Sequence, residues 1–322
     1  MPIRRKMNCL ELCAGAGGQA YGLELAGFDH AGLVEIDKDC CATLRLNRPK
    51  WNVIMSDLRD FDASPYRGVD LVAGGLPCPP FSKAGKQLGK LDERNLFPEA
   101  VRIIEECAPR AVMIENVRGI LDAVFDDYRN HVERQLEKLG YKPAWHLFNA
   151  ADFGVPQLRP RVLFVAVKKP FHDSFAWPLG GFVMPPTVGE VLYELMRENG
   201  WKGAKEWRRR ANQIAPTIVG GSRKHGGPDL GPTRARAAWG TLGVDGKGIW
   251  NAAPERDFVG MPRLTVRMAA LLQGFPPEWQ FAGAKTSSYR QVGNAFPPPV
   301  ARAVAEQIRK SLSARKVVPI AS

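Results

Sequence analysis

A doubly wound α/β fold is predicted by three features of the chain. Apolar, strand-like runs alternate with helical segments through its first half. The first run ends in a glycine-rich turn that opens a helix. Groups capable of chemistry stand where later runs begin or end, as they would around one site on an α/β sheet.

The 322 residues can build a sizeable core and two domains. A hydrophobic content of 45% and a charged content of 24% are those of a globular protein in water. No stretch approaches 18 consecutive apolar residues, so no membrane-spanning helix is expected. The basic N-terminus runs into a strand-like segment, not a secretory apolar region. None of the six cysteines (Cys9, Cys13, Cys40, Cys41, Cys78, Cys107) forms a C-x-x-C pair, so no metal site is expected. A reducing, cytoplasmic compartment fits.

Met7 to Cys13 reads as a strand, followed by a turn and a helix through Ala26. Gly15, Gly17 and Ala20 match G-x-G-x-x-A, and Glu35 follows Gly15 by twenty residues at the end of the run Ala31 to Val34. Glycines let a ligand approach the backbone, and the carboxylate takes ribose hydroxyls. The pattern does not decide between a dinucleotide and S-adenosylmethionine. Asp39 to Arg48 reads as helix and Asn52 to Met55 as a third strand, leading to Asp57. That residue is a ligand group or a turn cap.

The run Val69 to Ala73 feeds Gly74-Gly75-Leu76-Pro77-Cys78-Pro79-Pro80-Phe81-Ser82. The two glycines are expected to take shapes other residues avoid. Pro77 restricts its own φ and the residue before it, so Cys78 is presented, not buried. Lys83 to Glu93 is long and polar enough for a lid. A helix over Asn95 to Cys107 precedes the run Ala111 to Ile114, which ends at Glu115-Asn116-Val117. In Phe125 to Leu139, apolar residues recur at three- and four-residue spacing, the mark of a helix whose stripe is core. Strands follow over Trp145 to Ala150 and Val162 to Val167, the latter opened by Gln157-Leu158-Arg159-Pro160-Arg161. All these strands are read as parallel. Arg159 and Arg161, two apart, would then share one face.

The alternation stops near Lys168. Thr187 to Ser287 is irregular, glycine-rich and basic. Between Trp201 and Arg236 nine Lys/Arg stand against two acids. With a net charge of +12 for the chain, this points to a polyanionic partner. Arg263 to Gly274 reads as a capped helix, and the last helix starts at Pro298.

These residues together resemble the C5-cytosine DNA methyltransferases, in the family's order and over nearly the whole chain. Leu10 to Gly18 is similar to its first cofactor motif, and Gly75 to Cys78 to its nucleophile motif. Asn95-Leu96-Phe97, Glu115-Asn116-Val117 and Gln157-x-Arg159-x-Arg161 match the next blocks. Arg263 to Pro276 and Gln291 to Asn294 match the last two. The resemblance implies a Rossmann-like S-adenosylmethionine domain over 1–180, a target-recognition domain over 181–287, and a segment 288–322 returning to the first. It implies Cys78 as nucleophile and Glu115 on the cytosine edge, with Arg159 and Arg161 beside it. It implies Glu35 on the ribose, Asp57 on the adenine amine and Ile36 against the adenine ring. Cys13, Gly15, Gly17, Leu58, Pro77, Leu96, Asn294 and Ala295 would complete the cofactor site. Ser82, Arg208, Arg209, Arg210, Thr217, Arg223 and Lys224 would meet duplex DNA. A monomeric bacterial enzyme acting on nucleoid DNA is implied, separate from any partner restriction endonuclease.

The chemistry accounts for the residue types. Sulfur adds to carbon 6 of cytosine and also leaves, which suits a covalent route to carbon 5. The base has to be flipped out of the duplex to be reached. A nicotinamide dehydrogenase would leave Cys78, Glu115 and the arginines without a task, and a DNA-binding module would not need a thiol and a carboxyl. The tRNA-modifying branch of the family carries a Cys-Phe-Thr element that this chain lacks.

Overall fold

A computed structural model describes residues 6–77, 95–220 and 228–314. Cys78, Ser82, the lid expected over 83–93, Arg223 and Lys224 lie outside the described residues.

Seven strands form one sheet: β1 (Met7–Leu12), β2 (Phe28–Glu35), β3 (Val53–Met55), β4 (Leu71–Gly75), β5 (Ala111–Asn116), β6 (Tyr141–Asn149) and β7 (Pro160–Lys168). Their spatial order is β3-β2-β1-β4-β5-β7-β6. The first five run parallel, whereas β7 runs antiparallel to both β5 and β6. This corrects the expectation of a parallel β7. Only residues 150–159 separate β6 from β7, fewer than a parallel crossover requires. Reversal places the start of β7 at the sheet edge where β1 to β5 end. The arginines reach the functional edge for that reason.

The two glycines of the fourth run are also corrected. Gly74 and Gly75 are ordinary strand residues of β4. A Cβ on Gly74 would come within 2.7 Å of the Leu12 carbonyl oxygen, so the requirement there is room between strands. β5, buried at all six positions, reads as a continuous apolar run up to Glu115 because both its faces are covered.

One face of the sheet is covered by α3 (Phe97–Cys107) and α4 (Asp126–Lys138). Phe125, Val132 and Leu136 of the predicted stripe join its core. The other face is covered by α1 (Gly18–Leu25) and α10 (Pro298–Ser313), with Leu23, Val300, Val304 and Ile308 buried together. Gly22 lets these two helices touch: a Cβ there would lie 2.5 Å from that of Ala301. α2 (Lys38–Asn47) packs beside β2 and β3.

A second apolar cluster spans Val188 to Ala295. Its described residues form α5 (Val188–Met196), α6 (Ala204–Arg210), α7 (Thr233–Thr241), α8 (Val266–Leu272) and α9 (Lys285–Asn294). The region expected to be irregular is so over most of its described length, and its short helices pack around Trp207, Trp239 and Met268. Local signals start two of them. Thr187 and Glu190 form a capping box on α5, and the Thr265 side chain accepts from the Met268 amide on α8. Tyr289 and Val292 of α9 pack into this cluster, while α10 returns to the sheet. Among the described residues no helix is long and apolar enough to cross a membrane.

Candidate active site

The strand order reverses direction between β1 and β4, and a cleft opens there at the carboxyl ends of the strands, where such sheets bind ligands. Its volume is about 200 Å³. Each strand contributes the residues that follow it: Cys13 after β1, Glu35 and Ile36 from β2, Ser56 to Arg59 after β3, and Pro77 after β4, with Leu96 closing one side. Ile36 is 63% exposed and presents an aliphatic face to the opening.

Glu35 is buried, and both its oxygens meet backbone amides. Gly15 N–H donates to Oε2 at 2.7 Å and Asp37 N–H to Oε1 at 2.8 Å. Burial pushes the carboxyl up and these amides oppose the rise. The glycine turn and the acid are therefore one unit. Gly15, at φ +55°, has open space where a Cβ would project, so a ligand can approach it. Gly17 differs. It too has positive φ, but its Cβ position is blocked by Leu44 and Trp279 at 2.8 and 2.9 Å. The absence of a side chain there makes room for packing behind the loop. Asp57 is a turn cap that also stands at the cleft. It accepts from the Arg59 amide at 3.0 Å, a local cap, pairs with the Arg59 guanidinium at 2.9 Å, and still lines the cleft. Asn294 and Ala295 are not among the cleft-lining residues. Asn294 is exposed, and the Ala295 carbonyl accepts from Arg159.

The second part of the site adjoins the first through register. Gly75, two residues before Pro77, pairs with Glu115 across β4 and β5. Its missing side chain leaves room, for a Cβ there would sit 3.5 Å from Glu115 Oε2. Arg161, at the start of β7, places Nε 2.7 Å from Glu115 Oε1. Burial drives the Glu115 carboxyl up, and the charges of Arg161 and Arg159 pull it back.

Arg159 does not share Arg161's task. It precedes β7 and is fully buried. Its guanidinium donates to the carbonyls of Ile218 at 2.6 Å, Gly293 at 2.7 Å and Ala295 at 3.0 Å. The expectation that both arginines lie on one strand face beside the base is corrected: Arg159 ties the second cluster's chain to the sheet, and its charge reaches Glu115 only at longer range. Gln157 and Gln273, to which no ligand role was assigned, complete this knot. Gln157 Nε2 donates to Gln273 Oε1 at 2.6 Å and to Leu272 O at 3.1 Å, and the Ile218 amide donates to its Oε1 at 2.9 Å. Two buried glutamines in a row of apolar neighbours are the signal that could have found them.

The basic segment is less free than its charge count implies. Arg210 donates to the carbonyls of Gly240 and Thr241 at the end of α7, so it also anchors a helix while remaining exposed. Arg209 pairs with Glu206 at 3.2 Å, and the Arg208 guanidinium lies 5.0 Å from the Tyr193 ring centre. Both remain exposed. Thr217 donates to Leu158 O at 2.6 Å, which places the 215–218 segment against the start of β7.

A Rossmann-like sheet with a cleft at its switch point and a carboxylate–guanidinium pair beside it places the chain among doubly wound α/β proteins whose site lies at the carboxyl edge of the sheet. Residues 7–310 match the C-5 cytosine-specific DNA methylases, and the chain belongs to that family as a DNA cytosine-5 methyltransferase. It is 57% identical over 309 residues to the Type II methyltransferase M.NgoMIV of Neisseria gonorrhoeae, covering 95% of this chain and 98% of that protein. It is 52% identical over 315 residues to M.NaeI of Lentzea aerocolonigenes, covering 96% of this chain and 76% of that protein. The methyltransferase EhMeth of Entamoeba histolytica shares the fold, with a TM-score of 0.68 at 14% identity over 97% of this chain and 100% of that one.

Proposed function

We propose that the chain methylates carbon 5 of a flipped-out cytosine in a specific duplex sequence, through a covalent bond between Cys78 and carbon 6, with S-adenosylmethionine as cofactor. The observation that carries this reading is the placement of the Glu115–Arg161 pair one strand away from Pro77, the residue before Cys78. The cofactor supplies an electrophilic methyl group. The cleft fits it: an open backbone at Gly15, a carboxylate at Glu35, an acceptor at Asp57, and aliphatic walls from Ile36, Leu58, Pro77 and Leu96.

Cys78 adds to carbon 6 and makes carbon 5 nucleophilic. A protonated Glu115 donates to ring nitrogen 3 and accepts from the exocyclic amine, a pattern an ionised carboxylate cannot offer. Arg161 fixes the carboxyl in place. Once carbon 5 carries the methyl group, loss of the proton beside it to a base restores the carbon 5–carbon 6 double bond and expels the thiolate of Cys78. The basic face of the second cluster, with Arg208 and Arg209 exposed, neutralises DNA phosphates. The names of the relatives, Type II methyltransferases, favour the modification half of a restriction–modification pair. A monomer acting on DNA in the cytoplasm, with the endonuclease acting separately, belongs to the same proposal. The division into 1–180, 181–287 and 288–322 belongs to the same proposal.

The test is duplex DNA carrying 5-fluorocytosine at the target, since fluorine blocks the final elimination. A stable adduct mapped to Cys78, absent from Cys78→Ser, is expected. An adduct on another cysteine overturns the assignment. Methylation of a random-sequence library followed by bisulfite sequencing identifies the site.

A further inference from the structure

The cofactor loop, residues 13–18, is held from two sides. In front, the Glu35 carboxylate accepts the Gly15 amide. Behind, the Trp279 indole Nε1–H donates to the Ala16 carbonyl at 3.1 Å. Ala16 is buried, so without that donor its carbonyl would lack a partner in an apolar setting. The same ring fills the space behind Gly17, so closely that a Cβ there would meet Trp279 Cζ2 at 2.9 Å.

Trp279 does not belong to the sheet's own cores. It is 5% exposed and packs in the second apolar cluster with Phe275. Its position is fixed in turn. The Arg48 guanidinium stands 5.2 Å from its ring centre and is clamped by both oxygens of Glu24, while Tyr21 lies 5.3 Å away. Three side chains from two elements of the sheet domain, Tyr21 and Glu24 of α1 and Arg48 at the end of α2, thus hold a side chain from the second cluster, and that side chain grips the cofactor loop.

We propose that Trp279 is a positioning residue for the cofactor: it holds the backbone of residues 15–17 in the shape that Glu35 and the ligand require. The second cluster thereby contributes to cofactor affinity before any DNA is bound. This rests on the reading of the cleft as a site for S-adenosylmethionine.

The experiment is calorimetric titration of the DNA-free protein with S-adenosylhomocysteine. Trp279→Phe keeps the ring body and removes the N–H. It is expected to raise Kd about three- to tenfold, the size of one lost buried hydrogen bond. Trp51→Phe is the control, because Trp51 lies 6.2 Å from Trp279 in the same aromatic group without touching the loop through a hydrogen bond. It is expected to leave Kd within about twofold while sharing any general loss of stability. A Trp279→Phe Kd equal to that of wild type overturns the inference. Failure of the wild-type protein to bind overturns the cofactor reading beneath it. A second measurement needs no variant. In wild-type protein, S-adenosylhomocysteine should slow amide exchange over residues 278–281 together with 13–18. Slowing confined to the cleft residues overturns the inference.

Discussion

Arg161 holds Glu115 through a contact of 2.7 Å between Nε and Oε1, inside a pocket that burial makes hostile to a free carboxylate. In the proposed mechanism the pair keeps the carboxyl pointed at the base edge. Glu115→Gln retains a donor and an acceptor of similar shape and cannot transfer a proton. DNA binding near that of wild type is expected, with a single-turnover methylation rate lower by roughly 10²–10⁴, the usual scale of general acid catalysis. A rate close to wild type would mean that hydrogen bonding alone is enough.

Arg159 makes a different prediction because its donors end on three backbone carbonyls. Arg159→Met leaves those acceptors buried without partners, each worth about 1–3 kcal/mol. A fall in unfolding free energy of about 3 kcal/mol or more is expected, measured by denaturant titration. Arg161→Met should lose activity with a smaller change in stability. Equal stability losses in the two variants would contradict the division of roles.

The salt dependence of DNA binding separates the arginines of α6. Each neutralised phosphate contributes about −0.9 to the slope of log K against log[salt]. Arg208→Ala with Arg209→Ala should flatten the slope by up to about 1.8. Arg210→Ala should leave it unchanged and lower stability, since its guanidinium caps α7. A flattened slope for Arg210→Ala alone would place it on the DNA face.

Acid stability should bear the mark of His30. Its Nε2 lies 3.0 Å from the Ala20 carbonyl oxygen, and burial pushes its pKa down to about 4. Between pH 6.5 and 4 the unfolded chain binds a proton that the folded imidazole refuses. This group's contribution is therefore present above pH 6.5 and is lost as pH falls, by about 3 kcal/mol over the window. Replacement of His30 by Gln should remove that part of the slope in a series of denaturation curves.

Glu11, fully buried 4.0 Å from the same imidazole, acts in the opposite sense. Burial raises its pKa well above the usual carboxylate range. The folded state keeps a proton that the unfolded chain releases above about pH 4.5, so stability falls as pH rises through that window. Glu11→Gln should be more stable than wild type at pH 8 and lose that advantage near pH 4. A variant less stable than wild type at pH 8 would mean that Glu11 is ionised in the fold.

By itself the sequence determined the succession of strands and helices in the first half, the capped start of α8, the glycine turn with Glu35 after it, and the chemical groups of the site in their order. All of these depend on short-range physics: hydrophobic period, backbone freedom at glycine and proline, and side chains that reach a few residues along the chain. Tertiary structure alone decided which way two arginines at neighbouring positions would turn. It decided that Gly17 makes room for a ring and Gly74 for a strand, and that the Ala295 carbonyl accepts from Arg159. Trp279 and Ala16 are 263 positions apart, and no local pattern encodes their meeting. A contact of that kind is set by how two cores pack against each other, and it exists only when the whole chain has folded.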